Sequence, residues 1–380
     1  MISLTLVTER LGLGGGFYYY LEITNRLLKR GYDVKIVSSG GSPWFYPNNR
    51  VPIIYPKEPK LLKILSNILQ IKYRQVHYFR GLDYYIILSK LLNIDFDFSR
   101  IMSSIIPESD LIITGLPSAF IWSFMSKKYK KLAFFPQGWP EYIYVLSRDI
   151  RWYLTFISPY DYYIALTGIE TDLVKSTIKR DVKFFVVSAG VDTQLFKPRR
   201  RDNDDIKVMV ILRPEPNKGA EVAIRTLNLL SKYLDFTAVV IDHGVLEKFR
   251  NEIRFKYEAY KPVSREKLVE LYNSASVFLF TSKLEGYGLP PLEAMACGTP
   301  VVMTDNVGSR AYAVNGYNAL VDDTHSPEKL AELIQKVIKD ENLREEVVRN
   351  GFETAKMHDW ERITDNWVKT LKEIEGEIKR

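Results

Sequence analysis

The densest chemistry in the chain lies in the run Glu285-Gly-Tyr-Gly-Leu-Pro-Pro-Leu-Glu293-Ala-Met-Ala-Cys-Gly-Thr-Pro300. Gly286 and Gly288 lack a Cβ, so a ligand can approach the main chain closely there. Pro290 and Pro291 suit a first helical turn, whose N–H groups have no partner within the helix, and Gly298 with Pro300 suit its end. The run predicts a glycine loop opening a helix of roughly two turns. Free amides around Gly288 and Leu289, reinforced by the helix dipole, favour a negative or oxygen-rich group. On spacing alone, the plainer reading of two glutamates eight apart is a well-made strand-to-helix turn in which Glu293 only complements the dipole.

Two further loops have phosphate-directed character. Arg213-Pro-Glu-Pro-Asn-Lys218-Gly219 follows an apolar strand and precedes an amphipathic helix, and open α/β sheets bind ligands at that carboxyl edge. Near the N-terminus, Gly12, Gly14, Gly15 and Gly16 follow the apolar run Ile2–Val7. They either shape the wall of a cleft or form only a tight turn. A nicotinamide-binding fingerprint fails, because the Gly-x-Gly-x-x-Gly spacing from Gly12 meets Phe17, and Ser38 or Ser39 ends the second strand where an acid is needed.

Strands and helices must hold these loops in place. After the first strand, Phe17, Tyr20, Leu21, Thr24, Leu27 and Leu28 recur at helical spacing, Gly31 suits a helix C′ position, and Val34–Val37 resumes strand character. That is a βαβ unit, and further runs at Leu111–Thr114 and Leu132–Phe135 predict a parallel sheet covered by helices. The pattern restarts with strands at Val208–Leu212, Phe236–Ile241 and Val277–Phe280 and a helix carrying Ala223, Ile224, Leu227 and Leu230. Ser326-Pro327 predicts a capped helix to about Lys339, and Asp359 caps a last helix bearing Trp360, Ile363, Trp367 and Leu371. The charged run Arg199–Asp205 reads as a solvated connector. These features predict an α/β protein with a Rossmann-like domain over 1–196, a second over 197–358, and a C-terminal helix over 359–380 that packs back on the first.

The chain has 380 residues, 46% hydrophobic and 26% charged, enough for two or three cores. Its longest apolar stretch, Leu111–Met125, is broken by Gly115 and Pro117 and falls short of the ~20 residues that span a bilayer. Glu9 and Arg10 interrupt any signal-peptide pattern. Cys297 is the lone cysteine, which precludes an intramolecular disulfide, and four separated histidines leave a Cys/His metal site few ligands. A cytoplasmic protein is expected. The net charge of +7 is uneven: residues 1–195 hold 24 Lys and Arg against 16 Asp and Glu, whereas 196–380 hold 29 against 30. An anionic partner is therefore expected for the first half.

The 285–300 run, with Val263–Tyr272 and Ser274–Phe280 before it and Gly316–Val321 after it, resembles the E-x7-E signature region of the retaining GT-B glycosyltransferases of family 4, the glycosyl transferases group 1. The N-terminal half resembles them more weakly, through the Gly-Gly loop and the hinge-like Ser188-Ala-Gly-Val-Asp192. The resemblance implies two Rossmann-like doubly wound domains facing across a cleft, the first binding an acceptor and the second a nucleotide-sugar donor, UDP- or GDP-linked. It assigns the donor diphosphate to Arg213 and Lys218, the donor sugar to Glu285 and the ribose hydroxyls to Glu293. Gly15, Gly16, Gly286, Tyr287, Gly288 and Leu289 complete the implied donor contacts. Catalysis would then rest on Glu285, Arg213 and Lys218 without a covalent nucleophile, a cofactor or an obligatory metal, and with retention at the sugar.

One departure concerns a cleft histidine common in the family. The comparable stretch is Phe134-Phe-Pro-Gln-Gly-Trp-Pro-Glu141, in which Gln137 is the acceptor-side candidate, able to hydrogen-bond a hydroxyl but not to exchange a proton near neutral pH. Asp95-Phe-Asp97 resembles a metal-binding Asp-x-Asp by chance, far in sequence from the phosphate loops. The expected acceptor is a glycan, a lipid-linked glycan or a small molecule, and no nucleic acid is expected. The segment 57–90 holds seven Lys and Arg against Glu58 and Asp83. Its apolar face suits core packing and its basic face a peripheral membrane contact. The competing readings are a GT-B epimerase or phosphorylase and a non-catalytic carbohydrate-binding descendant.

Overall fold

The computed structural model describes residues 1–11, 15–43, 46, 48–57, 97–115, 117–137, 160–176, 181–199 and 205–380. Gly12 and Gly14 of the first glycine loop, residues 58–90 of the basic segment, Asp95 and the connector residues 200–204 lie outside the described residues. Two compact units make up the chain. One comprises Met1–Ala165, Glu170–Val187 and Thr364–Arg380, the other Leu166–Ile169 and Ser188–Ile363.

The first unit is built on β1 (Ser3–Thr8), α1 (Gly15–Lys29), β2 (Asp33–Ser38), β3 (Ile53–Ile54), α2 (Phe98–Ile105), β4 (Ser109–Thr114), α3 (Pro117–Ser126), β5 (Tyr129–Phe134), β6 (Tyr162–Ala165), α4 (Gly168–Lys175) and β7 (Lys183–Val186). Its sheet runs β3-β2-β1-β4-β5-β6-β7, with every pairing parallel. Side chains such as Leu4, Val37, Ile112 and Leu132 are almost wholly buried, as strands covered on both faces require. Strand order reverses between β1 and β4, so the loops after these strands part to opposite faces and leave a crevice at their carboxyl ends.

The second unit repeats the plan with β8 (Lys207–Leu212), α5 (Ala220–Leu230), β9 (Thr237–Asp242), α6 (Leu246–Phe249), β10 (Lys256–Tyr260), α7 (Arg265–Ser274), β11 (Val277–Phe280), α8 (Leu289–Ala296), β12 (Val301–Thr304), β13 (Leu320–Asp322), α9 (Pro327–Lys339) and α10 (Glu341–Met357). The sheet order is β10-β9-β8-β11-β12-β13, again parallel, with the reversal between β8 and β11. Caps account for the helix starts. Ser264, Ser326 and Asp340 accept from Lys267, Lys329 and Leu343 amides, satisfying donors left free in a first turn. Leu330, Ala331, Ile334 and Val337 form the buried stripe of α9.

The last helix, α11 (Trp360–Ile378), starts with an Asp359 carboxylate accepting from the Glu361 amide at 2.8 Å. Trp360 to Ile363 group with the second unit and Thr364 onward with the first. Trp367 donates its indole N–H to the Tyr19 hydroxyl at 2.7 Å within the first unit. The main segment of the second unit begins at Ser188, about eight residues before the 196/197 division read from the sequence; there Val191 exchanges main-chain hydrogen bonds with His358 and Trp360, and Thr193 binds Asp359. The hinge-like 188–192 segment is thus anchored in that unit.

Candidate active site

In the second unit the two functional loops leave adjacent strands at the reversal point. The 213–219 loop follows β8, and the 281–288 loop follows β11. They are stitched together: Lys283 donates its amide to Asn217 at 2.8 Å, Asn217 donates its side-chain amide to the Leu284 carbonyl at 3.3 Å, and Thr281 donates its hydroxyl to the Lys218 carbonyl at 3.4 Å. Pro216–Lys218 forms a single 3-10 turn that ends on Gly219 at φ +67°. A Cβ on Gly219 would stand 1.9 Å from the Thr281 carbonyl oxygen, so only glycine lets the loops approach this closely.

The consequence is an ion pair. Lys218 Nζ lies 2.8 Å from Glu285 Oε1, with the two side chains 16% and 15% exposed. Arg213 is half-buried at the end of β8, and its charge opposes protonation of the half-buried His243 at the end of β9. Burial, more than Arg213, holds the His243 pKa below its usual value, so the imidazole is neutral near pH 7.

The glycine loop and α8 form the second wall. Gly288, at φ +82°, is the N-cap of α8, no side chain caps this helix, and Pro290 and Pro291 have no N–H to offer. Among the described residues, the Gly288 and Leu289 amides donate to no other protein group. Behind them runs a segment that sequence reasoning missed. A Cβ on Gly308 would come within 2.6 Å of Gly286 and Tyr287 main-chain atoms, Ser309 donates to the Tyr287 carbonyl, and Tyr312 donates its hydroxyl to the Gly288 carbonyl. No motif around 308–312 signals this backing role. Only a close main-chain approach demands the glycine.

Glu293 sits one turn into α8 and is buried. Tyr272 donates to its Oε2 at 3.4 Å, and Arg265 Nη1 lies 3.6 Å from Oε1 while its guanidinium stacks 4.7 Å over the Phe196 ring. Arg265 and Tyr272 are seven apart on α7, two turns on one face, a spacing that could have nominated them. Burial raises the Glu293 pKa, and Arg265, Tyr272 and Arg213 only partly oppose it. A carboxyl whose folded pKa exceeds its unfolded one favours folding below the ordinary carboxylate range, and that contribution is lost as pH rises through the folded pKa. Glu293→Gln is therefore expected to raise the apo melting temperature at pH 7 by a few degrees and to flatten its decline above pH 4.5, as read by thermal melts across pH. A lower melting temperature at pH 7 would show that the Arg265 pairing outweighs desolvation.

In the first unit, Gly15 opens α1 and Gly16 follows it. Gln137, at φ +56° beyond β5, donates its side-chain amide to the Gly16 carbonyl at 3.2 Å, and a Cβ on Gly16 would lie 2.3 Å from Gln137 Oε1. The unit thus brings Gly16 and Gln137 together at the carboxyl edge of its sheet. Asp97 accepts from the Arg100 amide at 2.9 Å as the N-cap of α2, a structural role. Among the described residues, no three or more His, Cys, Asp or Glu side chains gather as a metal cluster, and no helix is long and apolar enough to cross a membrane.

Comparison with known proteins points the same way. Residues 191–354 match the family model described as glycosyl transferases group 1. A probable sucrose-phosphate synthase of Thermosipho melanesiensis is 32% identical over 50% of this chain and 47% of its own length. A D-inositol 3-phosphate glycosyltransferase of Acidothermus cellulolyticus is 31% identical over 53% of this chain and 48% of its own. The chain spans about half the length of the curated relatives it matches. Among solved structures, sucrose-phosphate synthase from Thermosynechococcus elongatus superposes with a TM-score of 0.72 at 16% identity, covering 99% of both chains. Anabaena HepE, solved with UDP-glucose, gives 0.75 at 16% identity over 98% of this chain and all of its own. The segment 191–354 thus belongs to the glycosyl transferases group 1 family, carried on the GT-B fold of two doubly wound domains.

Proposed function

We propose that the chain is a retaining glycosyltransferase of the family 4 type, which takes a sugar from a UDP- or GDP-sugar and passes it to a glycan, lipid-linked or small-molecule acceptor. The observation that carries this reading is the Lys218–Glu285 ion pair, on the loop that Arg213 opens, with the uncapped start of α8, at the reversal point of one sheet. A nucleotide-sugar has matching chemistry: an anionic diphosphate joined to a hydroxyl-rich ring. Lys218 and Arg213 bind the diphosphate, Glu285 accepts from a sugar hydroxyl, the Gly288 and Leu289 amides donate to oxygen, and the two oxygens of Glu293 accept from the ribose.

Breaking the glycosyl–phosphate bond leaves growing negative charge on the diphosphate, and preorganised cations stabilise it as it forms. A diphosphate oxygen then takes the acceptor proton on the face the leaving group occupied, which retains the anomeric configuration without a covalent enzyme intermediate. The complexes of Anabaena HepE with UDP-glucose and with UDP support a nucleotide-linked donor. The acceptor reading leans on the basic 57–90 segment, of which only Lys57 is among the described residues. That charge suits an anionic lipid surface.

Because Arg213, Lys218 and the helix amides supply the positive potential, turnover is expected to survive EDTA within about twofold. Complete loss on chelation, restored by Mn²⁺ or Mg²⁺, would overturn the metal-free mechanism. Donor class is tested by thermal shift with UDP-, GDP-, ADP- and TDP-sugars, since a ligand at 100 times its Kd adds about 2.7 kcal/mol of stability. A panel with no stabilising member contradicts the reading.

A further inference from the structure

A second concavity lies in the second unit, at the edge of its sheet opposite the loops described above. Its volume is about 430 Å³, within the range of small-molecule sites. Segments entering β11 and β12 form its floor, Cys297 at the end of α8 forms one side, and one face of α10 forms the other. Gly288 and Cys297 cap opposite ends of the eight-residue α8, so this pocket and the glycine loop lie on the order of 12 Å apart along that helix.

Its charges are three guanidinium groups and one carboxylate. Arg199, Arg344 and Arg349 line it, opposed by Glu345. Arg344 is held in place by donating to the Ile338 carbonyl at 2.9 Å and to Glu341 at 3.2 Å. Arg199 is fixed at its main chain, where its amide donates to Asn273. Its charge also reaches the Cys297 thiol, whose pKa burial nevertheless pushes up to about 12, leaving that thiol inert. Arg349 is exposed one turn beyond Glu345, and among the described residues neither its guanidinium nor that of Arg199 forms an ion pair. Pro198, Val348 and Phe352 provide an apolar wall.

We propose that this pocket binds a phosphate monoester of a small metabolite, the phosphate on Arg199 and Arg349 and the organic body against Pro198, Val348 and Phe352. With Arg344 engaged by Glu341, the guanidinium groups of Arg199 and Arg349 are the ones offered to an anion such as a phosphate. Guanidinium groups present paired donors that match phosphate oxygens, whereas the pocket holds no lysine. The pocket also exceeds what a bare phosphate fills, and its apolar wall has no use for one.

The test is calorimetric titration of the full chain with inorganic phosphate, glucose 6-phosphate, ribose 5-phosphate, glycerol 3-phosphate and, as the uncharged control, glucose. At least one ester is expected to bind more tightly than inorganic phosphate, and glucose not at all. Arg199→Ala and Arg349→Ala, both at the surface, should each weaken that ester at least tenfold, the loss of a charge-assisted contact. The matching lysine variants should recover part of the loss, and Lys218→Ala should leave it unchanged. Equal binding of phosphate and every ester, binding lost in Lys218→Ala, or binding indifferent to both arginines would each overturn the proposal. So would the absence of binding by the whole set.

Discussion

Lys218→Ala is expected to lower turnover by about 10²- to 10³-fold, the typical loss when one preorganised donor to developing charge is removed. Lys218 contributes twice. In the proposed reaction its ammonium would face the leaving diphosphate, and its 2.8 Å contact with Glu285 would hold that carboxylate in position for the sugar. Nucleoside diphosphate affinity should fall with it, because the proposed phosphate contact would already be made in the ground state and would strengthen as charge develops. Arg213→Ala should do the same without disturbing Glu285, since no ion pair joins Arg213 to another described residue. Steady-state kinetics and calorimetry on both variants, with circular dichroism as the folding check, read these effects. Unchanged diphosphate affinity in either variant would remove that residue from the site.

Gly219→Ala is expected to be nearly as damaging although it removes no functional group. A side chain in the left-handed region costs about 1–3 kcal/mol, before the added carbon meets the Thr281 carbonyl oxygen. That oxygen, 1.9 Å from the ideal Cβ, belongs to the main chain and cannot swing aside. The 3-10 turn bearing Lys218 must move, and a displacement near 1 Å in a catalytic group costs about 10²-fold in rate. Gly316 supplies the control: its φ of +75° is similar, but nothing stands within 4 Å of its Cβ position. Gly316→Ala should lose stability by the backbone strain alone and keep its turnover. Equal turnover in the two variants would mean that the loop contact does not position Lys218.

The elements of the second unit were legible because local rules and tertiary packing agree there. Ser326-Pro327 starts α9 and the 285–300 run makes a glycine loop with a two-turn helix, each with its cap residue in the expected place. The Lys218–Glu285 contact joins loops that follow β8 and β11, and loops after neighbouring strands at a reversal point share a crevice, whereas the roles of Arg213, Lys218 and Glu285 were implied only by the family resemblance. Contacts made by main chain against main chain were not legible. Gly308 behind Gly286 and Tyr287, and Gly219 beneath Thr281, are single glycines whose need is set by residues far away in sequence. The main segment of the second unit extends back to Ser188, about eight residues before the 196/197 division read from the sequence, for a related reason. Pairing of Val191 with His358 and Trp360 joins segments more than 160 residues apart and leaves no periodic trace.

The most direct test of the donor-site account is to incubate the full chain with the nucleotide-sugar panel and follow each donor by mass spectrometry, with and without candidate acceptors. At least one UDP- or GDP-sugar should give its nucleoside diphosphate, slowly with water alone and faster with an acceptor, and the Lys218→Ala chain should give at least 100-fold less. Equal conversion by the wild-type and Lys218→Ala chains, or every donor recovered intact from the wild type with no thermal shift, would contradict it.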